Sequence, residues 1–108
     1  RTAEAVAHDQ TAVRLEPGRA QTWCDLALAL AQQGGQAASR RAGEHALLLR
    51  PDFPKAHWVL GNLDAVEGNF ASAIDHFRRA IALDPDYVAA RDSLAHALEL
   101  QQSARIRP

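Results

Sequence analysis

Residues 54–87 read PKAHWVLGNLDAVEGNFASAIDHFRRAIALDPDY. The stretch holds two helix-like halves separated by Gly68-Asn69, and it closes on Asp84-Pro85-Asp86. Sliding the chain against itself by 34 residues aligns Pro17, Pro51 and Pro85. The same offset aligns Leu15, Leu49 and Leu83, then Leu26, Leu60 and Leu94. Gly34 meets Gly68, and Ala12, Ala46 and Ala80 share a column. Proline ends helices and leucine fills cores, so one period sets both the breaks and the expected core. Self-similarity at such a period signals stacked supersecondary units, none of which buries its apolar face alone.

The period and residue types resemble the tetratricopeptide repeat family, whose unit is a helix-turn-helix of about 34 residues. Leu60-Gly61, Gly68, Ala73, Phe77, Ala80 and Pro85 stand at its pattern positions. The copy that begins at Ala20 supplies Trp23, Leu26, Ala27, Gly34, Ala46 and Pro51. The resemblance covers nearly the whole chain. It implies an all-α, right-handed superhelical solenoid of antiparallel helix pairs, with six helices. Some positions depart from the pattern. His57 stands where Trp23 does, Gly43 where Phe77 does, Ser39 where Ala73 does, and Asp64 where Leu30 and Leu98 do. The first two suggest a volume exchange, with Trp23 and Gly43 filling about the space of His57 and Phe77, as a close-packed interior favours. Asp64 has no packing rationale in the sequence; the edge of a groove is its expected place.

Helices are expected over residues 2–15, 20–33, 36–49, 54–67, 70–83 and 88–101. Residues 1–19 are then the second half of a degraded repeat, with Asp9 at the Phe77 position. Residues 20–53 and 54–87 are full repeats, 88–102 a further first helix or a capping helix, and 103–108 a polar tail. All form one domain. The last helix has no partner, so apolar surface is expected there, covered by another helix of a longer protein or by a second molecule. The chain starts at Arg1 in mid-repeat and contains no Met, as expected of part of a longer protein.

Composition narrows the function classes. The chain has 108 residues, 47% hydrophobic and only 6% aromatic. Ala and Leu dominate, and both head the helix-propensity ranking. Ala- and Arg-rich usage also fits a bacterium with GC-rich DNA. Twelve basic against 13 acidic residues give a formal charge of −1, which argues against a nucleic-acid partner. Cys24 is alone, so no internal disulfide forms; a small core or groove residue is expected. No apolar run reaches the 18 residues of a membrane span, and no signal-peptide pattern is expected within these residues.

Five histidines, His8, His45, His57, His76 and His96, lack metal-ligand spacing and are expected as solvated helix residues. His57 and His96 are expected to approach across adjacent repeats, yet two ligands make no robust site. No nucleophile elbow, oriented base or phosphate loop is present, so neither an enzyme nor a cofactor is expected.

The function therefore belongs to a surface. In the family this chain resembles, the first helix of each pair lines a concave face. That implies a lining of Gln21, Cys24, Leu28, Ala31, Lys55, Trp58, Asn62, Ala65, Ala89, Asp92, His96 and Glu99. Trp58 follows the packing position His57, so it is expected to project into the groove as an anchor. Asn62, one turn on, is placed to bond a peptide backbone. Some family members clamp chaperone tails with groove lysines and asparagines; here only Asn62 matches, which excludes that partner. The expected function is binding of a peptide or protein segment in the groove. The alternatives are a structural spacer that self-associates through its uncapped last helix, and a docking or regulatory arm of an enzyme outside this segment.

Overall fold

A computed structural model describes residues 2–106. The chain forms α1 (Thr2–Leu15), α2 (Ala20–Gln32), α3 (Gln36–Leu49), α4 (Pro54–Val66), α5 (Phe70–Leu83) and α6 (Val88–Ile106). Among the described residues there is no strand. Helices α2 and α3 make one hairpin and α4 and α5 the next; α1 packs on α2, and α6 on α5. Hairpins also touch through α2 with α4 and α4 with α6, so α2, α4 and α6 lie side by side. The result steps along an axis, with extents of 49 × 27 × 21 Å. It is an all-α stack of helix pairs, as the 34-residue period requires.

The turns within hairpins are fixed by glycine. Gly34 and Gly68 have φ of 89° and 82°, a left-handed conformation that costs other residues steric strain. Each glycine lets the chain double back and satisfy the last helix carbonyls. The Gly35 N–H donates to Leu30 O (2.8 Å) and the Gly34 N–H to Ala31 O (3.0 Å). One period later, the Asn69 N–H donates to Asp64 O (2.8 Å) and the Gly68 N–H to Ala65 O (3.1 Å). This double bond pattern closes the helix C-terminus.

The turns between hairpins use a second device. Trp23 Nε1 donates to Pro17 O at 2.8 Å, and Arg91 Nε donates to Pro85 O at 2.7 Å. His57 Nε2 lies 3.0 Å from Pro51 O. A carbonyl only accepts, so this ring nitrogen carries the proton. Trp, His and Arg thus interchange in one column because each brings an N–H to the same turn carbonyl.

The expected volume exchange between Trp23 and Gly43 does not occur. Trp23 instead lies against His45, with ring centroids 4.1 Å apart and planes tilted by 51°. Gly43 is small because of the next repeat. A Cβ there would stand 3.0 Å from Leu60 Cδ2 and 3.9 Å from the Ala27 Cβ. Phe77 faces Gly61, where a Cβ would stand 2.5 Å from Cε1 of the ring. The compensating pairs are therefore Ala27 with Gly43 and Gly61 with Phe77, and Leu60 reaches across to fill the first. Ser39 is buried and satisfied, because its hydroxyl donates to Ala27 O at 2.6 Å.

Two further expectations need correction. Leu15, Leu49 and Leu83 repeat in register yet are exposed; they sit at helix ends beside the proline turns and are not core. Leu26 and Leu60 are core, and Leu94 is half-buried. The last helix does not end near Gln101 but continues to Ile106, so residues 103–106 of the expected tail are helical. The rest of that tail, 107–108, lies outside the described residues. At this end Ile81, Leu94, Ala95 and Leu98 line an open hollow beside Arg91, and Leu98 is 39% exposed. The matching Leu26, Ala27, Leu60 and Gly61 are buried by the second helix of their own hairpins.

Candidate protein-interaction face

On α2, α4 and α6, which lie side by side, the expected lining positions recur about once per turn. Gln21, Leu28 and Ala31 come from α2, Lys55, Asn62 and Ala65 from α4, and Ala89, Asp92, His96 and Glu99 from α6. Gln21, Asp92, His96 and Glu99 are exposed; Leu28, Ala31, Lys55, Asn62, Ala65 and Ala89 are half-buried. Leu28 and Ala31 meet Asn62 in a slot of about 100 Å3, completed by Gln36, Val59, Leu63 and Val66. Its walls are aliphatic, and Asn62 and Gln36 supply the amides.

Cys24 does not line this face. It is 0% exposed, and burial pushes its thiol up to about 11, so it is a packing residue under the floor. Trp58 is also placed differently from expectation. Its ring is half-buried, packs against both core clusters and lies 6.0 Å from the Tyr87 ring. Its N–H donates to Ser93 Oγ at 3.0 Å. Trp58 thus ties α4 to α6 and is a brace of the face.

Beside it lies a polar cluster. Asp25 Oδ1 accepts from Gln21 Nε2 at 2.8 Å and pairs with Lys55 Nζ at 3.3 Å. Burial, with Asp25 adding, raises the pKa of the nearby Asp9 carboxyl. Sequence comparison missed Asp25, Val59, Ser93, Leu63 and Val66. Asp25, Val59 and Ser93 form one 34-residue column directly after that of Cys24, Trp58 and Asp92, so a stripe one residue wider contains them.

Asp64 is not at the groove edge. It is buried between α3 and α5 at the centre of a polar network. Arg40 Nη2 lies 2.9 Å from Asp64 Oδ1 and 3.1 Å from Glu67 Oε1. Ser72 Oγ donates to Asp64 Oδ2 at 2.6 Å, and His76 Nε2 lies 3.8 Å from the same oxygen. His76 Nδ1 is 3.2 Å from His57 Nδ1, so His57 meets His76 and not His96. Because His57 Nε2 donates to Pro51, neutral His57 offers Nδ1 as acceptor and His76 Nδ1 must donate. Among the described residues no three His, Cys, Asp or Glu side chains are placed to hold a metal ion.

This network sets a pH dependence. Burial lowers the His76 pKa below its ordinary value, opposed by Asp64 and reinforced by His57 and Arg79. The unfolded ring then takes its proton at higher pH than the folded ring. Stability is full above the unfolded value of about 6.5 and is lost as pH falls from there through the folded value. Thermal melts should give a Tm that drops on acidification below that point, with a shallower drop in His76→Gln. Equal slopes for the two proteins would contradict the assignment.

Stacked helix hairpins with a shared face of first helices define a solenoid of the repeat-protein class. Residues 54–87 match the tetratricopeptide repeat family model. That match spans the length of one repeat, and the described chain has the fold of tetratricopeptide repeat domains. The Arabidopsis OM64 TPR domain matches with a TM-score of 0.86 at 20% identity, over 91% of this chain and 81% of that one. A MamA protein matches with a TM-score of 0.82 at 22% identity, over 94% of this chain and 55% of that one. No curated protein matches the chain in sequence. Tetratricopeptide repeats are in general non-catalytic scaffolds that hold protein partners. Among the described residues no helix is long and apolar enough to cross a membrane.

Proposed function

We propose that the chain binds an extended peptide segment of a partner protein across α2, α4 and α6. The observation that carries this is the aliphatic slot between α2 and α4, with the Asn62 amide at its rim. An apolar recess with the Asn62 and Gln36 amides in its lining suits a peptide, whose side chains alternate with backbone groups in need of partners. Trp58 holds the neighbouring helix in place and is not the anchor. Trp58→Ala would therefore confound binding with folding, so Asn62 and Val66 are the positions to change.

Panning a random peptide library on the protein tests the proposal. Selected peptides should lose at least about tenfold in affinity for Asn62→Ala/Val66→Arg, a loss of about 1.4 kcal/mol. They should bind Leu48→Arg unchanged, since Leu48 is an exposed residue of α3 outside the face. Peptides that lose affinity for Leu48→Arg instead would place the site elsewhere.

The uncovered Ile81, Leu94, Ala95 and Leu98 favour a second reading, in which copies associate end to end. Light scattering that shows a monomer at high concentration would remove it.

A further inference from the structure

The charges on the concave face are not balanced, and the imbalance names a class of peptide. Lys55 is the only Lys or Arg among the described lining positions, and Asp25 engages it at 3.3 Å. The same carboxylate accepts the Gln21 amide. Asp92 and Glu99, by contrast, make no ion pair with any described residue and are exposed on α6. They stand seven residues apart, with His96 four residues after Asp92, so they share one helix stripe. His96 and Glu99 are in register with Leu28 and Ala31 on α2 and with Asn62 and Ala65 on α4, and exposed Asp92 lies one turn before His96. The face therefore joins an aliphatic slot on one side to two unpaired carboxylates on the other.

We infer that the preferred occupant is a peptide with one aliphatic residue and lysine or arginine a few residues away. Packed helices lie about 8–10 Å apart, and an extended chain advances about 3.3 Å per residue. A residue facing α6 is then roughly three to five positions from one seated between α2 and α4. The aliphatic side chain fills the slot, and the basic groups supply the charge that Asp92 and Glu99 lack. Complementary charge of this kind sets partner choice and encounter rate more than raw affinity. The inference rests on the concave-face proposal and adds the chemistry of the ligand to it.

Amide shift mapping on the isotopically labelled chain tests both and separates them. The probes are a Gly-Ser peptide carrying one leucine with Lys-Arg pairs on both sides, its Glu-Asp analogue, and its leucine-to-serine analogue. The basic leucine peptide should shift the amides of Asn62, Leu63, Val66, Asp92 and Glu99. Asp92→Lys/Glu99→Lys should weaken it about tenfold and reverse the preference towards the acidic analogue. An acidic analogue that binds the same amides as well or better would overturn the ligand class and leave the concave site standing. A serine analogue that binds equally would overturn the role of the slot. If none of the peptides shifts these amides, both proposals fail. Concentration-dependent shifts of the same amides without peptide would assign the face to a second copy of the chain and overturn the inference.

Discussion

Phe77→Ala is expected to lower the unfolding free energy by about 3–5 kcal/mol, the usual cost of emptying a buried aromatic site. The ring is 1% exposed and packs with Ala73, Ile74 and Ala97, against the bare backbone of Gly61. These residues come from α4, α5 and α6, so one ring couples three helices. Urea unfolding followed by far-UV circular dichroism gives the magnitude. Gly61→Ala should be destabilising on its own, by about 1–3 kcal/mol. Its Cβ would stand 2.5 Å and 2.8 Å from two ring carbons, and a close-packed ring has little room to retreat. With Phe77 already alanine, the collision partner is gone. Gly61→Ala should then stabilise, because Ala gains about 1 kcal/mol over Gly inside a helix. A cost for Gly61→Ala of the same sign and size in both backgrounds would show that Phe77 does not require the glycine.

The second large effect is expected at Asp64. Asp64→Ala removes the carboxylate that Arg40 and Ser72 share. Breaking a buried pair on one side costs about 3–5 kcal/mol. Arg40 keeps Glu67 and is part-exposed, so the expected loss here is smaller, about 2–3 kcal/mol. Asp64→Leu should cost less than Asp64→Ala by at least about 1 kcal/mol, because both lose the carboxylate but leucine refills the space that alanine leaves empty. Leucine also occupies this column as Leu30 and Leu98 in the neighbouring copies. If the leucine variant were the less stable of the two, the network would matter more than the packing it displaces.

These two sites show where sequence was sufficient and where it was not. The turns at Gly34 and Gly68 followed from periodicity, and helix number and hairpin pairing from the family resemblance that the period carries, because each depends on neighbours within one repeat. Gly43 did not yield to the same comparison. Its space is filled by Leu60 of the following hairpin, a contact between repeats that a column of aligned residues does not contain. Asp64 was opaque for the same reason: its partner Arg40 belongs to the preceding hairpin. The replacement of Trp23 by His57 read as an exchange of volume, and Arg91 extends the same column. The column keeps one hydrogen-bond donor, visible only when polar as well as apolar chemistry is compared along it.

The face itself was legible as a stripe and not as a surface. Leu28, Ala31 and Asn62 do converge. Cys24 and Trp58 share the stripe, yet the packed helices enclose the first and turn the second towards Ser93. Whether a residue on a helix face ends as lining or as packing depends on how closely the next helix approaches, which spacing alone does not give.

Stability comes from neighbouring hairpins lying against one another along an axis, and residue-resolved amide hydrogen exchange reads this out helix by helix. Helix α4 has neighbours on both sides and buries Ala56, His57, Val59, Leu60, Gly61, Leu63 and Asp64. Helix α1 buries only Val6 and Val13, and α6 only Ala90 and Ala97. The slowest amides should fall in α4, with intermediate rates in α3 and α5 and the fastest in α1 and in α6 beyond Gln101. Uniform protection across all six helices would contradict this, because it is the behaviour of one shared core.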